Sequence, residues 1–452
     1  MKTNVAIKAK THEGATAFVG NAEQQLRRSV LACMLWEDGF YEDDQSIGDR
    51  IAALVPKVGF DKVAEIAIEA REQQKLRHAP LLLLRECVAH FDGKKVGDLI
   101  ARVIQRPDEM GELISLYWAG ADNKKMIPRQ MKIGIARAFK KFNEYQLAKW
   151  DNNSAAVKLR DVVFLCHIRA GDDQALGSRI ARLVNKATIP QGIAARYDVN
   201  AVGLASAETW ENRLSRGEDK KAVFTELLAE GKLGALALLR NLRGMGEAGV
   251  DDAVIRAGLS NVNAERVLPF RFITAARHNP KFEPELESLM LKCMTGAEKL
   301  SGKTVLLVDV SGSMDAPVSS KSEVRRVDCA AGLAVLLREQ CEAVEVYTFS
   351  DKEVMVPARR GFALSDAIHQ SQPHSGTYLG RSLETVKAHA KFADRTIVIT
   401  DEQSADAVRA PLGRGYMVNV ASEKHGVGYG EWTRITGWSE SVVSYIQQLE
   451  AR

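Results

Sequence analysis

The sequence lacks what would carry a chain into or across a membrane. No apolar run approaches the roughly 18 residues of a spanning helix. The opening stretch Met1-Lys2-Thr3-Asn4-Val5-Ala6-Ile7-Lys8 has no apolar core long enough for a secretory leader. Cysteine is sparse: Cys33, Cys87, Cys166, Cys293, Cys329 and Cys341 lie far apart, with no Cys-x-x-Cys pair. That spacing excludes a disulfide framework and a cysteine-built zinc site, and the expectation is a cytoplasmic protein with reduced thiols. At 452 residues, 46% hydrophobic and 27% charged, the chain is neither disordered nor fibrous and is long enough for two or three domains.

Acidic residues are also scarce, but only in one place. The net charge is +4, yet between Lys124 and Arg169 eleven bases face three acids, so this stretch alone carries +8 and the rest sums to −4. Such concentration says more about partners than the total does.

Two grammars follow each other along the chain. Residues 20 to about 295 read as successive helices, with apolar spacings of three and four over Ala22–Leu35, Asp61–Gln74, Leu81–His90, Lys94–Ile104, Glu109–Tyr117, Arg129–Ala148, Val157–His167 and Leu233–Leu242. Helices this short cannot each bury a face alone, so stacking in a HEAT-like array is expected, although no fixed-period repeat is visible. After about Ser301, strands alternate with helices: strand-like Thr304–Val308, Ala343–Phe349, Thr396–Thr400 and Tyr416–Val420, helical Val327–Arg338, Leu379–Ala390 and Glu440–Leu449. Alternation predicts a doubly wound parallel sheet whose ligands sit at the carboxyl ends of its strands. The expected division is 1–299, helical, and 300–452, α/β.

Oxygen-bearing side chains gather at those strand ends. Thr304-Val305-Leu306-Leu307-Val308 runs into Asp309-Val310-Ser311-Gly312-Ser313, the strand Thr396–Thr400 runs into Asp401, and Ser375-Gly376-Thr377 precedes a helix. Asp309, Ser311, Ser313, Thr377 and Asp401 form a hard-oxygen set suited to Mg²⁺, with Mn²⁺ the alternative. With both carboxylates acting through water, the cation would still favour a partner's carboxylate. The blander alternative is a helix-capping turn. These residues and their strand-end positions make 300–452 resemble a von Willebrand factor A domain with a complete metal-ion-dependent adhesion site. The nearby Gly296-Ala297-Glu298-Lys299-Leu300-Ser301-Gly302-Lys303-Thr304 is no phosphate-binding loop, because its glycines are misspaced and a strand follows it.

The basic stretch contains Lys124, Lys125, Arg129, Lys132, Arg137, Lys140 and Lys141, with Arg129 and Lys132, and Arg137 and Lys140, three apart on a helix. Phe139, Phe142, Tyr145 and Trp150 are interleaved. A solvated helix with core aromatics is one reading; a phosphate-binding surface is the other, and the charge excess favours it. His167 reads either as a helix-end histidine or as a contact.

The segments Lys158-Leu159-Arg160-Asp161-Val162-Val163-Phe164-Leu165-Cys166-His167, Gly234-Ala235-Leu236-Ala237-Leu238-Leu239-Arg240-Asn241-Leu242 and Arg266-Val267-Leu268-Pro269-Phe270 resemble the TROVE module. With an A domain behind it, nearly the whole chain resembles the Ro ribonucleoprotein autoantigen family and its bacterial relatives. The resemblance implies a ring of helical repeats, Y-like small noncoding RNA on an outer basic surface, single-stranded RNA ends in a central hole, and a nuclease or other protein as possible partner. It places Arg160 and His167 in an RNA-facing segment and Lys132, Arg137 and Lys140 beside it. Phe164 departs from it, standing where animal members often carry a base. Arg240 and Asn241 serve either structure or RNA.

The expected function is therefore non-catalytic RNA binding in RNA quality control or processing. The alternative is a metal-dependent protein-interaction scaffold without RNA. A metal-dependent hydrolase fits less well, since the shell lacks a bridged ion pair and only His369 and His374 stand near the metal loops.

Overall fold

A computed structural model describes residues 10–11, 14–15, 21–31, 44–73, 76–119, 126–151, 154–184, 209–264, 267, 269–294, 299–318, 323–390, 392–421, 426–428, 430–437 and 441–450. Two compact units emerge, one of residues 48–213 and one combining 1–47 with 214–452. No helix among the described residues is long and apolar enough to cross a membrane.

Helix α1 (Ala22–Leu31) belongs to the second unit, and α2 (Asp44–Val58) leads into the first. There follow α3 (Phe60–Ile68), α4 (His78–His90), α5 (Lys94–Val103), α6 (Asp108–Trp118), α7 (Arg129–Phe139), α8 (Glu144–Trp150), α9 (Leu159–Leu165) and α10 (Gln174–Val184). Each of α3, α4 and α5 packs on the helix after next as well as on near neighbours, the two-layer stacking expected of a HEAT-like array. Backbones come close where α5 crosses α7: a Cβ on Gly134 would stand 2.7 Å from the Gly97 carbonyl oxygen and 2.7 Å from Ile100 Cβ. Only glycine permits that approach. Behind it lies a buried polar tie, Glu109 accepting from Arg71 at 2.6 Å and from the Gln105 and Arg106 amides at 2.8 and 3.0 Å.

The single helix expected over Arg129–Ala148 is broken. α7 stops at Phe139, and Asn143 starts α8 with a reciprocal cap, its side chain accepting from Gln146 N at 2.8 Å while the Gln146 side chain accepts from Asn143 N at 3.0 Å. Asn-x-x-Gln is a start signal that overrides continuous apolar periodicity.

The second unit continues from α11 (Trp210–Ser215), which straddles the division, with α12 (Lys220–Ala229), α13 (Ala235–Glu247), α14 (Asp252–Asn261), α15 (Pro269–His278) and α16 (Glu283–Cys293). Next-but-one stacking recurs from α12 to α16. The sheet contains β1 (Leu300–Asp309), β2 (Cys341–Phe349), β3 (Glu353–Met355), β4 (Arg395–Thr400), β5 (Arg414–Asn419) and β6 (Trp432–Thr436) in the order β3-β2-β1-β4-β5-β6. All neighbours are parallel except β3, a three-residue antiparallel edge strand that the sequence pattern missed along with β6.

The alternation of β1 decides both faces. Val305 and Leu307 join a core with Leu379, Leu383 and Val386 of α19 (Leu379–His389), while α17 (Arg326–Gln340) packs on β1, β2 and β4. α18 (Gly361–His369) and α20 (Ser441–Glu450) complete the unit. Asp328 of α17 ties α15 to the sheet region: it binds Arg277 at 2.7 Å and His369 at 2.9 Å. The amino-terminal segment reaches the same region, Thr11 Oγ1 donating to the Ser404 carbonyl at 2.8 Å.

Candidate metal centre and nucleic-acid interface

Strand order outward from β1 to β3, then back to β4 beside β1, puts the topological switch point between β1 and β4. Asp309 ends β1 and Asp401 follows β4, so both carboxylates lie where a parallel sheet leaves a crevice. Asp309, Ser311 and Asp401 are fully buried, Thr377 nearly so, and Ser313 half-buried.

Short bonds set this geometry. Asp309 Oδ1 accepts from Ser311 N at 2.9 Å, and Oδ2 accepts from Thr400 Oγ1 at 2.5 Å. Ser311 and Ser313 hydroxyls are 3.3 Å apart. Gly312 N donates to the Ser375 carbonyl at 2.9 Å, and Ala405 N donates to that of Thr377 at 2.7 Å, which fastens the Thr377 turn between the other two loops. Ser350 Oγ, beyond the end of β2, holds the same turn by accepting from Ser375 N at 2.9 Å and donating to the Gly376 carbonyl at 3.0 Å.

Burial first, and then the charge of Asp401, push the Asp309 carboxyl above the usual carboxylate range. An added cation is what would relieve that strain. The donors are carboxylate and hydroxyl oxygens with no sulfur or imidazole among them, so the residues fit a hard divalent ion of the Mg²⁺ class. Because each carboxylate oxygen of Asp309 already accepts a hydrogen bond, contact with an ion through water would suit it.

Two participants escaped the sequence reading. Arg326, at the start of α17, sets a buried guanidinium 3.5 Å from Asp401 Oδ2. Glu402 has a left-handed backbone, φ 63°, and its buried carboxylate accepts from Arg434 at 2.5 Å, Asn419 at 2.8 Å and Gly428 N at 3.0 Å. It fixes the loop that carries Asp401. The Asp401-Glu402-Gln403-Ser404 run was the available signal.

In the first unit, α7 turns Met131, Gly134, Ile135, Ala138 and Phe139 inward. Arg129, Lys132, Ile133, Arg137 and Lys140 remain on the outward face, Lys132 half-buried and the others exposed. Lys124 and Lys125 lie outside the described residues. Of the interleaved aromatics, Phe139 and Phe142 are core and Tyr145 is 55% exposed.

The basic residues are not equivalent. Arg137 binds Asp98 of α5. Lys141 donates to the Ala101 carbonyl at 2.5 Å and to that of Ile104, capping the carboxyl end of α5, and partial burial lowers its pKa. Arg160 stands 3.8 Å from Asp161. Lys132 Nζ is 3.3 Å from His167 Nε2, which joins two of the expected contacts across 35 residues.

His167 has φ 52°. It occupies the left-handed position just past α9, with His167 N donating to Phe164 O at 3.2 Å and Ile168 N to Val163 O at 3.0 Å. Glycine is the ordinary residue there. A non-glycine residue there carries a backbone cost, and its imidazole stands beside a lysine. In the second unit, Arg240 lines a cleft of about 480 Å³ with Lys220, Arg243 and Arg271. Asn241 donates back to its own helix at Ala237 O, 2.9 Å, a structural use.

The TROVE domain family matches residues 151–318. Over 91 residues the chain is 35% identical to telomerase protein component 1 of Mus musculus, a stretch covering 19% of this chain and 4% of that protein. The chain therefore spans a small part of the length of that relative. The crystal structure of the Deinococcus radiodurans RO (RSR) protein superimposes with a TM-score of 0.61 at 16% identity, covering 92% of this chain and 97% of that one. That likeness is one of fold, a helical amino-terminal region followed by a six-stranded and mostly parallel sheet, and the TROVE domain match lies within it at residues 151–318.

Proposed function

We propose that the chain is a non-catalytic RNA-binding protein that holds a small, structured, Y-like noncoding RNA on the outward face of α7 and the end of α9. The observation that carries this reading is the Lys132–His167 pair, with its left-handed histidine, on a face shared with Arg129 and Lys140. Phosphate contacts supply most of the affinity of such a surface and make it salt-dependent. With about four phosphates engaged, log Kd should vary with log salt at a slope near 3 in magnitude. The test is a titration of the full chain with a structured small RNA at several salt concentrations, beside a variant reversing Arg129, Lys132 and Lys140 to glutamate. A wild-type slope near zero, or an unchanged slope in the variant, would overturn the assignment.

The sheet-edge oxygens favour a second activity in the same chain. In our reading Ser311, Ser313 and Thr377, backed by Asp309 and Asp401, bind Mg²⁺ or Mn²⁺ and present it to a carboxylate of a protein partner, a nuclease being the partner class that would suit RNA processing. A scaffold that uses only this site, without RNA, is the competing reading. Loss of salt-dependent RNA binding together with retained metal-dependent protein binding would favour it.

A further inference from the structure

A cation of the chain's own already stands beside the oxygens of the sheet edge. Arg326 opens α17, its amide donating to the Ala316 carbonyl at 3.0 Å, and only 4% of its surface is exposed. Three other arginines among the described residues are buried against carboxylates, Arg71 with Glu109, Arg395 with Glu450 and Arg434 with Glu402, and each nitrogen comes within 2.6, 2.6 and 2.5 Å of its oxygen. Those are charge-assisted hydrogen bonds that tie elements together. Arg326 Nη1 stops 3.5 Å from Asp401 Oδ2. At that distance the guanidinium acts on Asp401 mainly through its field, and burial of both groups leaves little water to screen it.

We propose, resting on the metal reading above, that Arg326 is the resident counter-ion of this site and sets its affinity: it weakens the binding of a divalent ion alone and strengthens the joint binding of that ion with a carboxylate ligand. The charges give the sign. Asp309 and Asp401, both ionised, carry −2 and Arg326 carries +1, so a divalent ion meets a shell of −1 and leaves it at +1. An anionic ligand then approaches a net positive centre. Without the guanidinium the ion would meet −2, bind more tightly and leave the centre neutral, with less attraction for an anion. Coupling is reciprocal, so the ligand holds the ion as much as the ion holds the ligand. One buried arginine thus turns a centre that would keep its ion regardless of company into one that keeps it best when an acidic group arrives.

The experiment titrates Mn²⁺ into the full chain by calorimetry, in acetate and in chloride at equal ionic strength, for the wild type, Arg326→Gln and Arg326→Met, and follows thermal unfolding in chelator and in Mn²⁺. Both variants should bind Mn²⁺ about tenfold more tightly than the wild type in chloride. Acetate, the carboxylate probe, should raise Mn²⁺ affinity several times less in the variants than in the wild type. In chelator both should melt at a lower temperature, because buried carboxylates lose their counter-ion, and Mn²⁺ should raise their Tm by more than it raises that of the wild type. Variants that fold only in Mn²⁺ would support the same conclusion. If the wild type binds Mn²⁺ and both variants bind it equally or more weakly, Arg326 only positions the Asp401 loop and the inference is wrong. Variants that stay unfolded in saturating Mn²⁺ would make the arginine structural and overturn it too, and undiminished coupling to acetate would sever the link to the anion. If the wild type and Asp309→Ala bind Mn²⁺ alike, or neither binds it, the metal reading itself fails.

Discussion

The sheet edge and the α7 face are both built from charged and polar side chains, but they treat those side chains oppositely. At the sheet edge Asp309, Ser311 and Asp401 are fully buried, and the loops that carry them are laced by hydrogen bonds, so the constellation is already assembled before any ligand arrives. On and just after α7 the cations face water, and neighbouring residues use some of them in the fold: Arg137 on Asp98, Lys141 on the Ala101 and Ile104 carbonyls at the end of α5. A buried site is recognised by its donor set. An exposed one must first be sorted into side chains that hold the protein together and side chains that remain for a partner.

The largest expected effect separates the two regions outright. Asp309→Ala should lower divalent-cation affinity at least a hundredfold, on the order of 3 kcal/mol or more, read by calorimetric titration with Mn²⁺. RNA affinity should change less than about twofold. A matching collapse in both would mean that the regions are coupled and that the division between them is wrong. Next comes a test of the sorting on α7. Lys141→Ala should cost about 1–2 kcal/mol of stability by leaving two carbonyls without their donor, with little change in RNA binding. Lys140→Ala should do the reverse, changing stability by less than about 0.5 kcal/mol while weakening RNA binding severalfold.

The difference also explains what could be read in advance. The Asp309 loop was visible because a continuous apolar strand runs straight into an Asp-x-Ser-x-Ser turn, and a doubly wound sheet sends such turns to one edge. Thr377 and Asp401 could be added because each stands at a loop that the same topology brings there. What local pattern could not show is pairing across tens of residues: Asp98 with Arg137, Ala101 and Ile104 with Lys141, Arg326 with Asp401. The break in the helix expected over Arg129–Ala148 has another cause. The capping box of Asn143 and Gln146 outweighs continuous apolar periodicity. The short strands β3 and β6 carry too few residues for alternation to register.

A smaller effect should appear in acid. Burial alone would raise the Asp328 carboxyl, but bonds from His369, Arg277 and the Arg325 amide outweigh it and hold the group well below the ordinary carboxylate range. A carboxylate depressed in the folded state contributes stability that is complete above the unfolded pKa of about 3.9 and is lost as pH falls toward the folded value. Acid titration of unfolding should therefore show the wild type losing stability steeply below about pH 4. Asp328→Asn should be less stable at neutral pH and flatter in that window. An unchanged acid profile would remove Asp328 from the tie between α15 and the sheet region.

The smallest effect is the most diagnostic for the α7 face. If His167 is kept in the left-handed region for its imidazole, replacing it by glycine should relieve the backbone. His167→Gly should then stabilise the chain by about 0.5 kcal/mol, the relief being partly offset by the added freedom of glycine in the unfolded chain. For a unit of this size that is a rise in Tm of only one or two degrees or so. The same variant should bind structured RNA several times more weakly, because Lys132 loses its neighbour 3.3 Å away. Stability and affinity would move in opposite directions, as expected where local strain is maintained for function. A variant that loses stability while binding RNA normally would show instead that the histidine serves the end of α9, and the face would have to be rebuilt around Arg129, Lys132 and Lys140 alone.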